Sequence, residues 1–294
     1  MKKLLLLLVL SLFTSATMAQ NSDSVRLVTA KRHELNLPKG ASGYTVERVN
    51  LFNSVQTISV IKYSPKRLQT SIVQPEKLTR LSVTSKAHNA DFGVNAGYWD
   101  VRISQPSTFL KLDGKQLAVT ADFEKERVDG VVCLAKKRVI VDYCKAGEEA
   151  PYAAKYDNIL ASGPVLIDEG KSVDHAAYTK RMVEAKHGKD IGAYYTYVRR
   201  HPRTAIGTDK KGNVYLVVVD GRSKGNAEGV TIAELTEICE WLGMRDAINL
   251  DGGSSSTMWG EKEGVINYPC RNKKFDHAGE RKVSSCVLVK SKKK

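Results

Sequence analysis

Beyond its first thirteen residues the chain has no apolar run long enough to cross a bilayer. Cysteine and histidine nowhere fall at zinc-site spacing. There is no Walker-type phosphate loop, since the glycine spacing and its lysine are missing. No internal repeat or low-complexity linker is visible, which argues against a solenoid or a string of tethered modules. No stretch interleaves aromatic and basic residues in the manner of a nucleic-acid module, so nucleic acid is not an expected partner despite the basic charge. Cysteine is scarce and odd in number: Cys133, Cys144, Cys239, Cys270 and Cys286 leave at least one thiol unpaired within the chain.

What is there begins with an export signal. Lys2 and Lys3 precede an apolar stretch from Leu4 to Phe13, and Thr17-Met18-Ala19 is a small-residue cleavage site. Residues 1–19 therefore read as a signal peptide, with export to the periplasm or the extracellular space. Residues 20–71 read as an N-terminal extension or extra strands, 72–290 as the main domain, and 291–294 as a basic, solvated tail. The formal charge of +14 includes Lys2 and Lys3 and favours anionic partners generally.

The region from His201 to Trp259 carries the densest pattern. Val214 to Val219 is a near-continuous apolar run, suited to a strand buried on both faces. Thr231 and Glu234 form a capping box, and Leu235, Ile238, Cys239 and Leu242 repeat at helical spacing before Gly243. This predicts strand, strand, helix, strand, with the helix a right-handed crossover that returns the Ala247–Leu250 strand parallel to Val214–Val219. Cys239 on the apolar helix face reads as a buried thiol. Elsewhere, Gln56 to Tyr63 alternates as a strand, and Asp113-Gly114 marks a hairpin. Val131–Leu134 and Val139–Tyr143 form another hairpin, which can bring Cys133 and Cys144 face to face. Helices are predicted over Pro75 to His88, and over Ser172 to His187 with Asp174 as cap and with His175 and His187 on the surface. Ser162-Gly163-Pro164 breaks a strand, and Val283 to Val289 is a terminal strand. Strands scatter without strict alternation with helices, so the class is α+β: mixed twisted β-sheets with a few helices in a single main domain.

Asp220 and Asp251 each follow an apolar strand, and glycines follow both. Gly252-Gly253-Ser254-Ser255-Ser256 offers backbone N–H groups for an anion nest. Arg203 and Arg222 have the planar fork that binds phosphate or carboxylate. His201 has acid–base chemistry near neutral pH. Asn95 lies among small residues with Tyr98 and Trp99 nearby, suited to hydrogen bonding and stacking against a sugar ring. Gly163 lets backbone approach a ligand. Asp220, Asn249 and Asp251 are hard oxygen donors that could hold a divalent cation, the one cofactor considered.

The segments GVNAGYW, ASGPVLI, HPRTAIG, VVVDGR, NLDGGSSSTM and GERKVSSCVLV together resemble the phosphodiester glycosidase family over roughly Pro75 to Val289. The resemblance implies an α+β fold with twisted sheets and hydrolysis of the sugar C1–O bond of a glycosyl-1-phosphodiester, releasing the sugar and a phosphate monoester. Binding of a sugar-phosphate or envelope glycan without turnover is the alternative. Carried over by motif, the site comprises Asp251, Asp220, Glu280 and His201 as catalytic groups. Arg203, Arg222, Asn95, Gly97, Tyr98, Gly163, Asn249, Gly252, Gly253, Ser255, Thr257 and Arg281 are the binding groups. The chain departs from the family pattern at Tyr98, where phenylalanine is frequent, at Ser254, and over Asn272–Gly279, which lacks a proline. Intact mass of the secreted protein is expected to show loss of residues 1–19; a product retaining Leu4 to Leu12 overturns that expectation.

Overall fold

The computed structural model describes residues 22–177, 180 and 197–292. The export segment, most of the helix expected over Ser172 to His187, and Lys293 and Lys294 lie outside the described residues.

Three antiparallel sheets share one core. The largest has eight strands and includes, as neighbours, Ser54–Tyr63, Val214–Val219, Arg203–Thr208, Asp246–Asn249 and Val165–Asp168. A second, five-stranded sheet holds the hairpins Leu110–Leu112/Lys115–Ala118 and Gly130–Ala135/Arg138–Tyr143, with Asn158–Ser162 between them. The third runs from Gly264–Val265 through Met258–Gly260, Phe92–Asn95 and Cys286–Ser291 to Leu68–Val73 at its edge.

Alternation along the strands explains the packing. From the large sheet, Leu216, Val218, Ile206 and Ile248 face a central cluster that also takes Val132 and Leu160 from the second sheet and Phe92, Val94 and Val287 from the third. Tyr215, Val217 and Val219 point the other way, onto Ile232, Leu235, Ile238 and Cys239 of the Ile232–Trp241 helix. Both faces of the sheet are covered, so its central strand shows no polar alternation. The outer faces of the smaller sheets carry the Ala150–Lys155 and Leu81–Ala87 helices.

Val214–Val219 and Asp246–Asn249 both run antiparallel to Arg203–Thr208, which lies between them. They are therefore parallel to each other, as expected, but the Ile232–Trp241 crossover passes over an intervening strand. Ser54–Tyr63 pairs along Val214–Val219, so residues ahead of 72 supply strands to the main sheet.

Several expectations are corrected. The helix expected over Pro75 to His88 spans only Leu81–Ala87, because Thr79–Arg80 pairs with Lys282–Val283. Cys133 lies opposite Ile140 across its hairpin, and all five cysteines are free thiols. Asp174 does cap, accepting from the N–H groups of Ala176 and Ala177, but His175 is buried against the Thr236 hydroxyl rather than on the surface. The expected solvated tail is partly structure: the terminal strand runs to Ser291, and the Lys292 amine donates to the carbonyls of Pro65 and Lys66.

The capping box is fully formed, with Thr231 Oγ1 accepting from Glu234 N and Glu234 accepting from Thr231 N. Thr231→Ala removes one of these bonds at the helix that backs the main sheet. It should lower stability by about 1 kcal/mol, seen as a reduced urea midpoint with an unchanged slope.

Candidate active site

Arg203 opens its strand where Val214–Val219 and Asp246–Asn249 end, so His201, Arg203, Arg222 and Asp251 gather at one end of the main sheet. They line a cavity of about 150 Å³ together with Tyr98, Arg127, Asn249, Gly252 and Gly253. Among the described residues Asp251 is the only acid in that lining. Burial raises its pKa to about 6, while the Ser255 hydroxyl and the charges of Arg127 and Arg281 pull it down and Glu124 pushes it up. His201 is pushed down to about 4 by burial and by the neighbouring arginines, so it is neutral at pH 7. Its Nδ1 lies 3.4 Å from Arg222 Nη2.

The arginines differ in how they are held. Arg203 is buried and donates to the carbonyls of Val230 and Arg199. Burial lowers its pKa to about 10, which still leaves it charged at neutral pH. Arg127 forms a bidentate pair with the buried Glu124 and lies 3.9 Å over the Tyr98 ring. Arg281 lies 4.5 Å over the Trp99 ring and donates to the Ser254 hydroxyl. The two aromatic rings that sequence suggests for sugar stacking therefore each seat a guanidinium beside Asp251.

The expected constellation assembles only in part. Asp220 does not share the cavity: its carboxylate accepts from Asn267 Nδ2 and from the backbone N–H of Tyr268. Burial raises its pKa to about 7. Glu280 is also elsewhere, accepting from Ser82 N at 2.7 Å and from Ser82 Oγ at 2.5 Å at the start of the Leu81–Ala87 helix. Glu280 thus serves a helix N-terminus, while the adjacent Arg281 reaches toward Asp251. The donor set Asp220, Asn249 and Asp251 is not assembled, and no group of three or more metal-binding side chains occurs among the described residues.

Asn95 is a brace rather than a ligand contact. It is fully buried; Nδ2 donates to the Asp251 carbonyl at 2.6 Å, and Oδ1 accepts from Thr204 Oγ1 and Thr257 N. Thr257 enters the site through that N–H. Gly97 donates its N–H to Ser285 Oγ, and a Cβ there would stand 2.7 Å from Leu160. The Gly163 carbonyl accepts from the Tyr98 hydroxyl and from Asn249 Nδ2, and a Cβ on Gly163 would meet Arg127 O at 2.2 Å. Gly97 and Gly163 are thus close-packing positions. The expected anion nest is largely closed, since the N–H groups of Gly253, Ser255 and Ser256 donate to Pro202, Gly252 and Gly253. Asn249 Oδ1 is buried without a partner among the described residues and belongs to a residue lining the cavity.

Sequence reasoning missed Arg127, Glu124 and Asn267. Arg127 lies in a polar turn-like stretch, Glu-Lys-Glu-Arg, with no periodic signal; only the fold brings it onto Tyr98.

A three-sheet α+β fold thus places one described acid, Asp251, among arginines at one end of its main sheet. The chain belongs to the phosphodiester glycosidase family, which matches residues 88–290. Among curated relatives, the cattle N-acetylglucosamine-1-phosphodiester alpha-N-acetylglucosaminidase is 28% identical over 138 residues, 45% of this chain but only 23% of the cattle protein's length. The human protein of that name is also 28% identical over the same span. Among solved structures, the zebrafish catalytic domain of that enzyme superposes with a TM-score of 0.66 at 17% identity, covering 94% of this chain and 93% of the zebrafish one. A hypothetical protein from Synechocystis superposes with a TM-score of 0.64 at 13% identity, covering 90% of this chain and 64% of that one.

Asn95→Ala strips partners from a buried carbonyl, an amide N–H and a hydroxyl at once. It should cost about 3 kcal/mol in urea unfolding followed by circular dichroism.

Proposed function

We propose that the protein hydrolyses the C1–O bond between a sugar and the phosphate of a glycosyl-1-phosphodiester. The observation that carries this reading is that, among the described residues, Asp251 is the single carboxylate in a cavity lined by Arg127, Arg203 and Arg222. Most glycosidases need two carboxyl groups, one of them to protonate a poor leaving group. A phosphate monoester leaves as a stable anion, so arginines can take the place of the second acid. In this reading the guanidiniums hold the phosphate and gain strength as its charge grows. The Asp251 carboxylate stabilises the positive charge that develops at C1 and takes a proton from the incoming water. The hydroxyl of that water ends on C1, and the bridging oxygen leaves with the phosphate. Asn249 Oδ1 accepts a sugar hydroxyl. Neutral His201 orients water or substrate and does not serve as a strong acid. The family membership and the names of the relatives support the same reaction class. The Lys2-Lys3 and leucine-rich start supports action outside the cytoplasm.

The test is release of free sugar from a small N-acetylglucosamine-1-phosphodiester. Tight binding without release, across a panel of such diesters, would overturn the reading in favour of a binding protein. Asp251→Asn should lower kcat by at least about a thousandfold with circular dichroism unchanged, whereas Glu280→Gln should leave kcat within about tenfold and lower Tm. Because Asp251 must be ionised and its pKa is raised to about 6, kcat/KM should fall tenfold per pH unit below that value. In Asp251→Asn that limb should vanish from any residual activity.

A further inference from the structure

Among the described residues, hollows larger than the Asp251 cavity lie elsewhere on the surface. A groove of about 810 Å³ runs between the edge strand Leu68–Val73 and the tip of the Gly130–Ala135/Arg138–Tyr143 hairpin. It continues into a second hollow of about 1060 Å³ that shares Gln69, Lys136, Lys137 and Lys290 with it. The Asn158–Ser162 strand separates this groove from the active site. Asn158 lines the groove, and Gly163, just past the other end, is hydrogen-bonded to Tyr98 and Asn249. Five residues of strand put the two regions about 16 Å apart.

The groove is basic by construction. Lys136, Lys137 and Arg138 come from the hairpin tip, Lys155 from the end of a helix and Lys290 from the terminal strand. All five are exposed. The acids in the same lining are Asp113 and Asp157, and Asp157 already lies 4.0 Å from the Lys111 amine. Tyr156 also lines the groove, with the Lys155 amine 5.2 Å from its ring centre. One wall is a sheet edge, because Leu68–Val73 pairs only with Cys286–Ser291 among the described strands.

We infer that this groove binds a linear polyanionic glycan, a chain of sugars bearing phosphate, sulfate or carboxylate groups. Cations from three separate elements converge on one elongated trough, which matches a chain with repeated negative charge. A flat bilayer does not enter a trough, and none of the exposed large apolar side chains among the described residues lines it to serve as a wedge. Among the described residues only Tyr156 and His88 put aromatic rings in its lining, too few for the stacked series that a single-stranded nucleic acid uses. The groove adds a binding activity separate from the reaction at Asp251 and does not depend on it.

The test measures binding of a size-defined linear dextran sulfate, with neutral dextran and anionic phosphatidylglycerol vesicles as controls. The triple variant Lys136→Glu/Lys137→Glu/Lys290→Glu is compared with Lys31→Glu/Lys39→Glu/Lys211→Glu, which makes the same change in net charge at exposed sites outside the groove. The parent should bind dextran sulfate and not neutral dextran. The groove variant should bind at least tenfold more weakly, the control less than threefold, with equal Tm values. The slope of log Kd against log salt should flatten by about 2 in the groove variant only. Equal weakening in both variants would mean that net charge, not the groove, is responsible. Failure of the parent to bind, or groove-dependent binding of vesicles in preference to the glycan, would likewise overturn the inference. Turnover of a small soluble phosphodiester should be unaffected by the groove variant, which separates this result from that of the proposed reaction.

Discussion

The Asn95 amide is the joint on which the site depends. It ends a strand of the third sheet, accepts from Thr204 in the main sheet, and accepts from Thr257 ahead of the next strand. Its donor holds the carbonyl of Asp251 itself. One fully buried side chain thus sets the distance between two sheets and the position of the acid's backbone. Buried amides of this kind are tolerable only when every polar atom is satisfied, and this one satisfies three neighbours in return.

Around that joint the electrostatics are divided between burial and arginine. Burial pushes the Asp251 carboxyl up, and the Ser255 hydroxyl, Arg127 and Arg281 bring it back toward ionisation. Those arginines are themselves held in place, one by Glu124 and Tyr98, the other by Trp99 and Ser254. A planar cation resting on a ring keeps its geometry without giving up its charge. The same cavity lining can therefore attract a phosphate and leave the single acid available for chemistry.

Much of the fold was legible because its signals are local. The Val214–Val219 run, the Thr231 capping box, the Asp113-Gly114 turn and the paired runs Val131–Leu134 and Val139–Tyr143 each predicted an element that formed. The Leu81–Ala87 helix was overdrawn because two residues of its apparent start pair with a strand some two hundred positions away. No local pattern carries that information. His175 misled for a similar reason: a histidine in a polar stretch looks exposed until Thr236 is packed against it.

For the site, the sequence alone determined the chemistry available: which acids end strands, which arginines and glycines stand beside them, and the motifs of the family. Direction along a strand and the length of a crossover were enough to expect Asp220 and Asp251 at the same end of a sheet. Only the tertiary structure decided which acid faces the cavity. Asp220 and Asp251 look equivalent in sequence, each following an apolar strand, but Asn267 and Tyr268 from a later loop take the Asp220 carboxylate. Glu280 is taken by Ser82 from an earlier helix. Hydrogen bonds between segments so distant in sequence leave no periodic trace, and they turned three candidate acids into one.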